Sequence, residues 1–356
     1  MEELISKRIK QAIQEKVFPG CVVGVVRRNG GRSVWPFGRF TYNEDSPLVQ
    51  EDSIFDVASI TKAIPTSSLA LKLIDEGKLK LDDKLIEFVP EFRNSDRDKV
   101  LIKYLLTQTL DFAFHLSTYK NGIPEEILKR IFTTNLKTEP GKKFAYTNTA
   151  SILLGLVAER IFNDELENLG AKHFFAPLEM DRTTFWPLKI FDKKQIVPTE
   201  NDGWREGEIQ GVVHDESAYV FAKSGKAVGS AGLFSTTPDL LNFLEMLLNE
   251  GKSRGRRYLS PGIIKLMHTN QLEDIGACHG LGWELYQPRY MGQYCTEETF
   301  GKTGFTGCVV ICDIGKGVGI VMLSNTTYPK RKPLEEHIAT INEVRRDIAD
   351  IVFKNL

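Results

Sequence analysis

Three short elements of this 356-residue chain carry side chains that could do chemistry together. They are Ser59-Ile60-Thr61-Lys62, Tyr146-Thr147-Asn148 and Lys302-Thr303-Gly304. Side chains three residues apart at the start of a helix share a face, so Ser59 and Lys62 can meet. A helix N-terminus also favours negative charge developing there. A serine hydroxyl is a weak nucleophile until a base takes its proton. A lysine serves as that base only where burial or a neighbouring cation destabilises its ammonium form. Lys302 would be such a cation if the fold brought it close. A tyrosine near two ammonium groups ionises more easily, so Tyr146 could shuttle protons, with Asn148 orienting Lys62 and a substrate amide.

Taken singly, each element has a plainer reading. Ser59 would cap a helix, Tyr-Thr-Asn would be a turn or cap before an apolar helical run, and Lys-Thr-Gly would end a strand. A phosphate-binding loop is excluded at Gly301-Lys302-Thr303, because the glycine needed five residues earlier is absent: that position is Thr296.

The elements that must position these residues show in the hydrophobic pattern. An amphipathic N-terminal helix leads to GCVVGVVRR, a β-branched run read as a buried strand. GRSVWPFGRF and SIFDVAS read as further strands, with a Gly30-Gly31 turn between the first two. A helix is predicted over 59–76, closed by Gly77, with Pro65 as a source of a kink. LIKYLLTQTL, EEILKRIF, TASILLGLVAERIF and TPDLLNFLEMLLNEG are helical, and HGLGWELY, TFGKTG, GCVVICDI and GVGIVMLSN are strand-like. PLEEHIATINEVRRDIADIVFKNL closes the chain as an amphipathic helix. The fold class expected is α+β: an antiparallel sheet completed by both ends of the chain and flanked by terminal helices. Residues 1–80 plus 273–356 would form the sheet subdomain and 81–272 a mainly helical insert, with the site between them.

Composition narrows the function classes. Hydrophobic residues are 42% and charged residues 26%, the make-up of a globular protein with a substantial core. A formal net charge of -1 without a sustained basic run argues against a nucleic-acid partner. No uncharged run approaches the roughly 20 residues of a membrane span, and the N-terminus lacks the pattern of a signal peptide. The five cysteines lack metal-type spacing and read as free thiols in a reducing compartment. A cytoplasmic location is expected, with export of a form whose leader is removed as the alternative.

In this order and context, the three elements resemble the class C β-lactamase and penicillin-binding-protein family of serine hydrolases, including its carboxylesterase and D-aminopeptidase branches. The sequences that carry the resemblance are FDVASITK, GKLKLDDKLIEFVPEF, EPGKKFAYTN, VGSAGLFSTTPDLLNFLEMLLNEG and KTGFTG. Class A relatives carry Ser-x-x-K, Ser-Asp-Asn and Lys-Thr-Gly; a Tyr-x-Asn stands in the middle position here. The resemblance implies a β-lactamase/transpeptidase-like fold and an acyl-enzyme on Ser59, with Lys62 and Tyr146 moving protons. It implies that Lys302 tunes that network or holds a substrate carboxylate. Asn148, Thr303 and Gly304 would line the substrate site. The N–H of Ser59 and that of Phe305 or Thr306 would form the oxyanion hole. Neither a metal nor an organic cofactor is implied.

The expected substrate is a small ester, peptide or β-lactam, and the expected enzyme a carboxylesterase or D-aminopeptidase type. A β-lactamase or penicillin-binding DD-carboxypeptidase is the alternative, and a non-catalytic binding module on the same fold the second. Leu105 to Phe112 departs from the family's usual LLTHTSGL-like stretch, with Gln108 for histidine and Leu110-Asp111 for a small-Gly pair. This loop, with His115 facing the substrate, is expected to set specificity, a solvated loop histidine being the other reading. His214 beside Asp215 suggests a triad, but adjacent side chains seldom point the same way, which favours a structural contact. Trp283, Tyr286 and Phe305 are candidates for pocket walls.

Overall fold

The computed structural model describes residues 1–28, 30–93 and 97–356. Helix α1 (Glu2–Gln14) buries Ile5, Ile9 and Ala12 along one stripe, with Glu2 and Glu3 in its first turn, where acidic side chains suit the helix dipole. Strands β1 (Gly20–Arg27) and β2 (Arg32–Gly38) follow. Helix α2 (Ser68–Asp75) ends before Gly77, whose φ of 69° suits a residue without a Cβ. After the intervening helical segments come α3 (Asn148–Phe162), α4 (Glu216–Lys223) and α5 (Thr237–Leu248). Strands β3 (Glu284–Leu285), β4 (Thr299–Thr303), β5 (Val309–Asp313) and β6 (Val318–Ser324) complete the sheet before α6 (Leu334–Lys354).

The sheet runs β2-β1-β6-β5-β4-β3 with antiparallel neighbours, so the two ends of the chain join where β1 pairs with β6. Alternate residues of its inner strands serve different cores. On β1, Cys21, Val23 and Val25 join Ile5, Ile9, Ile341, Val344 and Ile348 beneath α1 and α6. Val22 and Val26 join the larger core of the helical layer. Burial on both faces explains why GCVVGVVR is nearly uniformly apolar.

Three expectations are corrected. The helix predicted over 59–76 is broken: a 3-10 turn spans Ala58–Lys62, Ile64 is extended at φ -123° and ψ 109°, and α2 begins at Ser68. The ring of Pro65 excludes the helical region for the residue before it. Of SIFDVAS, only Phe55–Asp56 pairs as a strand, against Phe234–Ser235. Helix α5, grouped by sequence with the inserted helices, packs on the sheet instead. A Cβ at Gly24 would stand 2.3 Å from Thr237 Cγ2 and 2.9 Å from Leu241 Cδ1, so glycine lets the helix lie that close.

Candidate active site

The 3-10 turn carries three residues per turn, so positions i and i+3 eclipse. Lys62 Nζ accordingly lies 3.0 Å from Ser59 Oγ and donates to the Ser230 carbonyl at 2.7 Å. Ala58 enters the turn at φ 47°, a left-handed conformation that costs a residue with a Cβ about 1–3 kcal/mol. The buried Asp56 carboxylate holds that conformation by accepting the N–H groups of Ala58 at 2.8 Å and His214 at 2.7 Å. Burial raises the pKa of Asp56. Ser59 N–H lies in the first turn, where N–H groups have no intrahelical acceptor.

Tyr146 arrives from the segment before α3, capped by the Thr147 side chain. Its ring faces the cleft with 45% of its surface exposed. Lys302 Nζ is 4.3 Å and Lys62 Nζ 5.2 Å from the ring centroid. The phenol group lies among Ser59, Lys62 and Lys302, close enough for the hydroxyl and both ammonium groups to act on its ionisation. Burial pushes the phenol pKa up, but the two ammonium groups and Ser59 outweigh it, and the net direction is down. Burial is also the largest influence on Lys62, which is 2% exposed, and with the Lys302 charge it lowers the ammonium pKa. Lys302 moves the other way. Burial lowers it, but Glu284, 2.5 Å from Nζ, more than compensates and keeps the ammonium charged. Glu284 is itself held down to about 2, against its burial, chiefly by Lys302.

The end of β4 completes the arrangement. A Cβ at Gly304 would lie 2.4 Å from the Val57 carbonyl oxygen, so this strand end packs backbone to backbone against the serine turn. Gly304 N–H donates to Cys308 O at 2.7 Å. Phe305 faces the cleft, and among the described residues its N–H has no acceptor. His337 Nε2 contacts the Phe305 carbonyl at 2.7 Å, and Arg345 donates to the Gly304 and Cys308 carbonyls at 2.7 and 2.9 Å. Ser59, Tyr146, Thr303, Gly304 and Phe305 thus border one cleft of about 790 Å³. No cluster of His, Cys, Asp or Glu among the described residues is arranged to hold a metal ion.

Other sequence expectations do not hold. Asn148 donates to Asp215 at 3.0 Å and Ser217 at 3.3 Å, not to Lys62, whose carbonyl partner is Ser230. Thr306 is buried, ties Oγ1 to the Asp56 carbonyl at 2.7 Å and does not border the cleft, whereas Phe305 does. His115 is exposed, caps a short 3-10 turn and does not border the cleft. Nor does Gln108. It accepts Thr147 N–H at 3.0 Å and donates to Ser151 Oγ at 3.1 Å, bracing the turn that carries Tyr146. Asp111 pairs with Lys143 at 2.8 Å. Trp283 is fully buried against Phe300, and Tyr286 lies outside the cleft wall. His214 and Asp215 point apart. His214 meets Glu200 at 2.7 Å, and Asp215 caps α4.

Sequence reasoning missed Asp56, Ala58, Ser230 and Glu284. Asp56 stood inside the quoted FDVASITK, but its role depends on Ala58 and on a residue 158 positions away. Glu284 meets Lys302 across 18 positions through the β3–β4 pairing, with no local signal.

A family profile described as "Beta-lactamase" matches residues 5–343. The chain is 31% identical over 320 residues to a protein of Escherichia coli (strain K12) named "Putative D-alanyl-D-alanine carboxypeptidase", covering 79% of this chain and 72% of that one. It is 28% identical over 361 residues to the "N-acetylmuramyl-L-alanine amidase" of Bacillus subtilis (strain 168), covering 90% and 81%. Among solved structures, EstCE1, described as a hydrolase with promiscuous acyltransferase activity, matches with a TM-score of 0.74 at 21% identity over 96% of this chain and 98% of that one. The penicillin-binding protein homologue from Pyrococcus abyssi gives 0.73 at 22% over 94% and 75%. Among the described residues no helix is long and apolar enough to cross a membrane. With nearly the whole length matched, the chain belongs to the beta-lactamase family and is a serine hydrolase.

Proposed function

We propose that Ser59 is the nucleophile of an acyl-enzyme hydrolase that acts on carboxylic esters and on D-aminoacyl amides. The observation that carries this reading is Ser59 Oγ 3.0 Å from a buried Lys62 Nζ, with Tyr146 between Lys62 and Lys302. The Ser59 proton passes to the Lys62–Tyr146 pair as Oγ bonds to the carbonyl carbon. The Ser59 and Phe305 N–H groups receive the oxyanion. Collapse breaks the bond to the leaving group, which takes the proton, and water then releases the acyl group from Ser59.

Esters and amides with neutral leaving groups come first because Lys302 does not reach the cleft. It is 2% exposed, with its ammonium against Glu284 at 2.5 Å and over the Tyr146 ring, so it is not presented to a substrate carboxylate. A DD-carboxypeptidase is the second reading. It is favoured by the name of the Escherichia coli relative.

The test is turnover of a short-chain nitrophenyl ester, an N-acylated D-alanyl-D-alanine peptide and a chromogenic cephalosporin, each by native protein and Ser59→Ala. Ester turnover that disappears in the variant supports the first reading. Preferential release of D-alanine from the peptide would move the assignment to the second. Equal rates in both proteins would remove Ser59 from the mechanism.

A further inference from the structure

A second cavity of about 290 Å³ lies behind the cleft wall and plays no part in the chemistry above. Phe185, Trp186, Val213, Tyr219 and Val228 make its walls apolar, and α4 presents Ala218 and Ala222, one turn apart, to the interior. At about 30 Å³ for a water-sized group, the space takes roughly ten methylenes. Its mouth is exposed and carries three lysines, Lys189, Lys223 and Lys226. Lys189 lies 4.7 Å from the Trp186 ring centroid and Lys223 5.2 Å from that of Tyr219. Among the described residues no carboxylate lines the cavity, and none of the three lysines forms an ion pair. Leu188 and Ile190, 47% and 63% exposed, flank the opening with apolar surface.

We propose that this cavity is a binding site for a single-chain amphiphile with an anionic head, such as a medium-chain fatty carboxylate. The chain enters from the outer surface and fills the apolar interior, and the carboxylate remains at the lysine mouth. An apolar chain gains from leaving water, and three unpaired cations favour an anionic over a cationic head. The inner wall is shared with the active site. Ala231 borders both spaces, next to Ser230, whose carbonyl holds Lys62. Asp215, which caps α4, holds Asn148 on the cleft side.

The test is calorimetric titration with decanoate below its micelle concentration, on native protein and on protein phosphonylated at Ser59. Saturable one-site binding that survives phosphonylation is expected. Decyltrimethylammonium should bind about tenfold more weakly or worse, a difference of roughly 1.4 kcal/mol. Ala222→Trp fills the cavity and should weaken decanoate by a similar factor. Lys189→Glu/Lys223→Glu/Lys226→Glu, with exposed side chains only, should do the same and decides the matter if Ala222→Trp fails to fold. No saturable binding, loss of binding on phosphonylation, or equal affinity for the two head groups would each overturn the proposal.

Discussion

Lys62 and Lys302 both face the Tyr146 ring, yet the surroundings push their ammonium groups in opposite directions. Lys62 is buried with a hydroxyl, a carbonyl and a second cation nearby, so its proton is held loosely. Lys302 has Glu284 and keeps its proton. In the proposed mechanism this division lets one lysine act as base while the other supplies a fixed charge that lowers Tyr146. Removing the base in Lys62→Met should reduce kcat by about 10²–10⁴-fold while the protein stays folded, measured by ester turnover alongside a thermal melt. A second outcome concerns pH. In the proposed mechanism activity should rise as the Lys62–Tyr146 pair loses its proton, and the Lys302 charge lowers both pKa values. Lys302→Met with Glu284→Gln removes that charge without stranding a buried carboxylate. Loss of Glu284, which raises Tyr146, offsets only part of the change. The acidic limb of kcat/KM should therefore move to higher pH, and a limb that stays or moves down would remove Lys302 from the tuning of Tyr146.

At the scale of elements, the site depends on three backbone junctions: the serine turn, the segment before α3, and the loop after β4. Gly304 fits β4 against Val57 with no room for a Cβ. Gly304→Ala must push the two apart, and displacements near 1 Å in a catalytic arrangement cost on the order of 10²-fold. A loss of that size in kcat/KM, with a lowered thermal midpoint because the clash is with backbone, is the expected result. The motifs that name these junctions were legible in the sequence, because the residue types and their local spacing carry the chemistry. Their bracing was not. Gln108 was a departure expected to set specificity. It adopts φ 55° and instead hydrogen-bonds the Tyr146 turn across 39 positions. His115, six positions from Thr109, ends outside the cleft because the chain turns away there into an exposed 3-10 segment.

For the whole molecule, the sheet closed by both chain ends sets the distance between β4 and the serine turn. Helix α5 fixes the layer on one face through Gly24 and Gly319, where added Cβ atoms would meet Thr237, Leu241 and Leu244. Gly24→Ala forces that helix outward and should cost about 1–3 kcal/mol by overpacking, measured by urea denaturation with the m-value unchanged. The sequence by itself determined most strand and helix runs, though not the break within 59–76 or the short extent of SIFDVAS, together with the pairing of terminal strands into one sheet and the three chemical motifs, since apolar period and residue spacing are local properties. Only the tertiary structure decided which residues stand against them. Glu284 at Lys302, Asp56 under Ala58, Ser230 at Lys62 and α5 on the sheet are contacts between distant segments. No local pattern encodes such pairs, because they arise when buried polar groups must find partners in a shared interior.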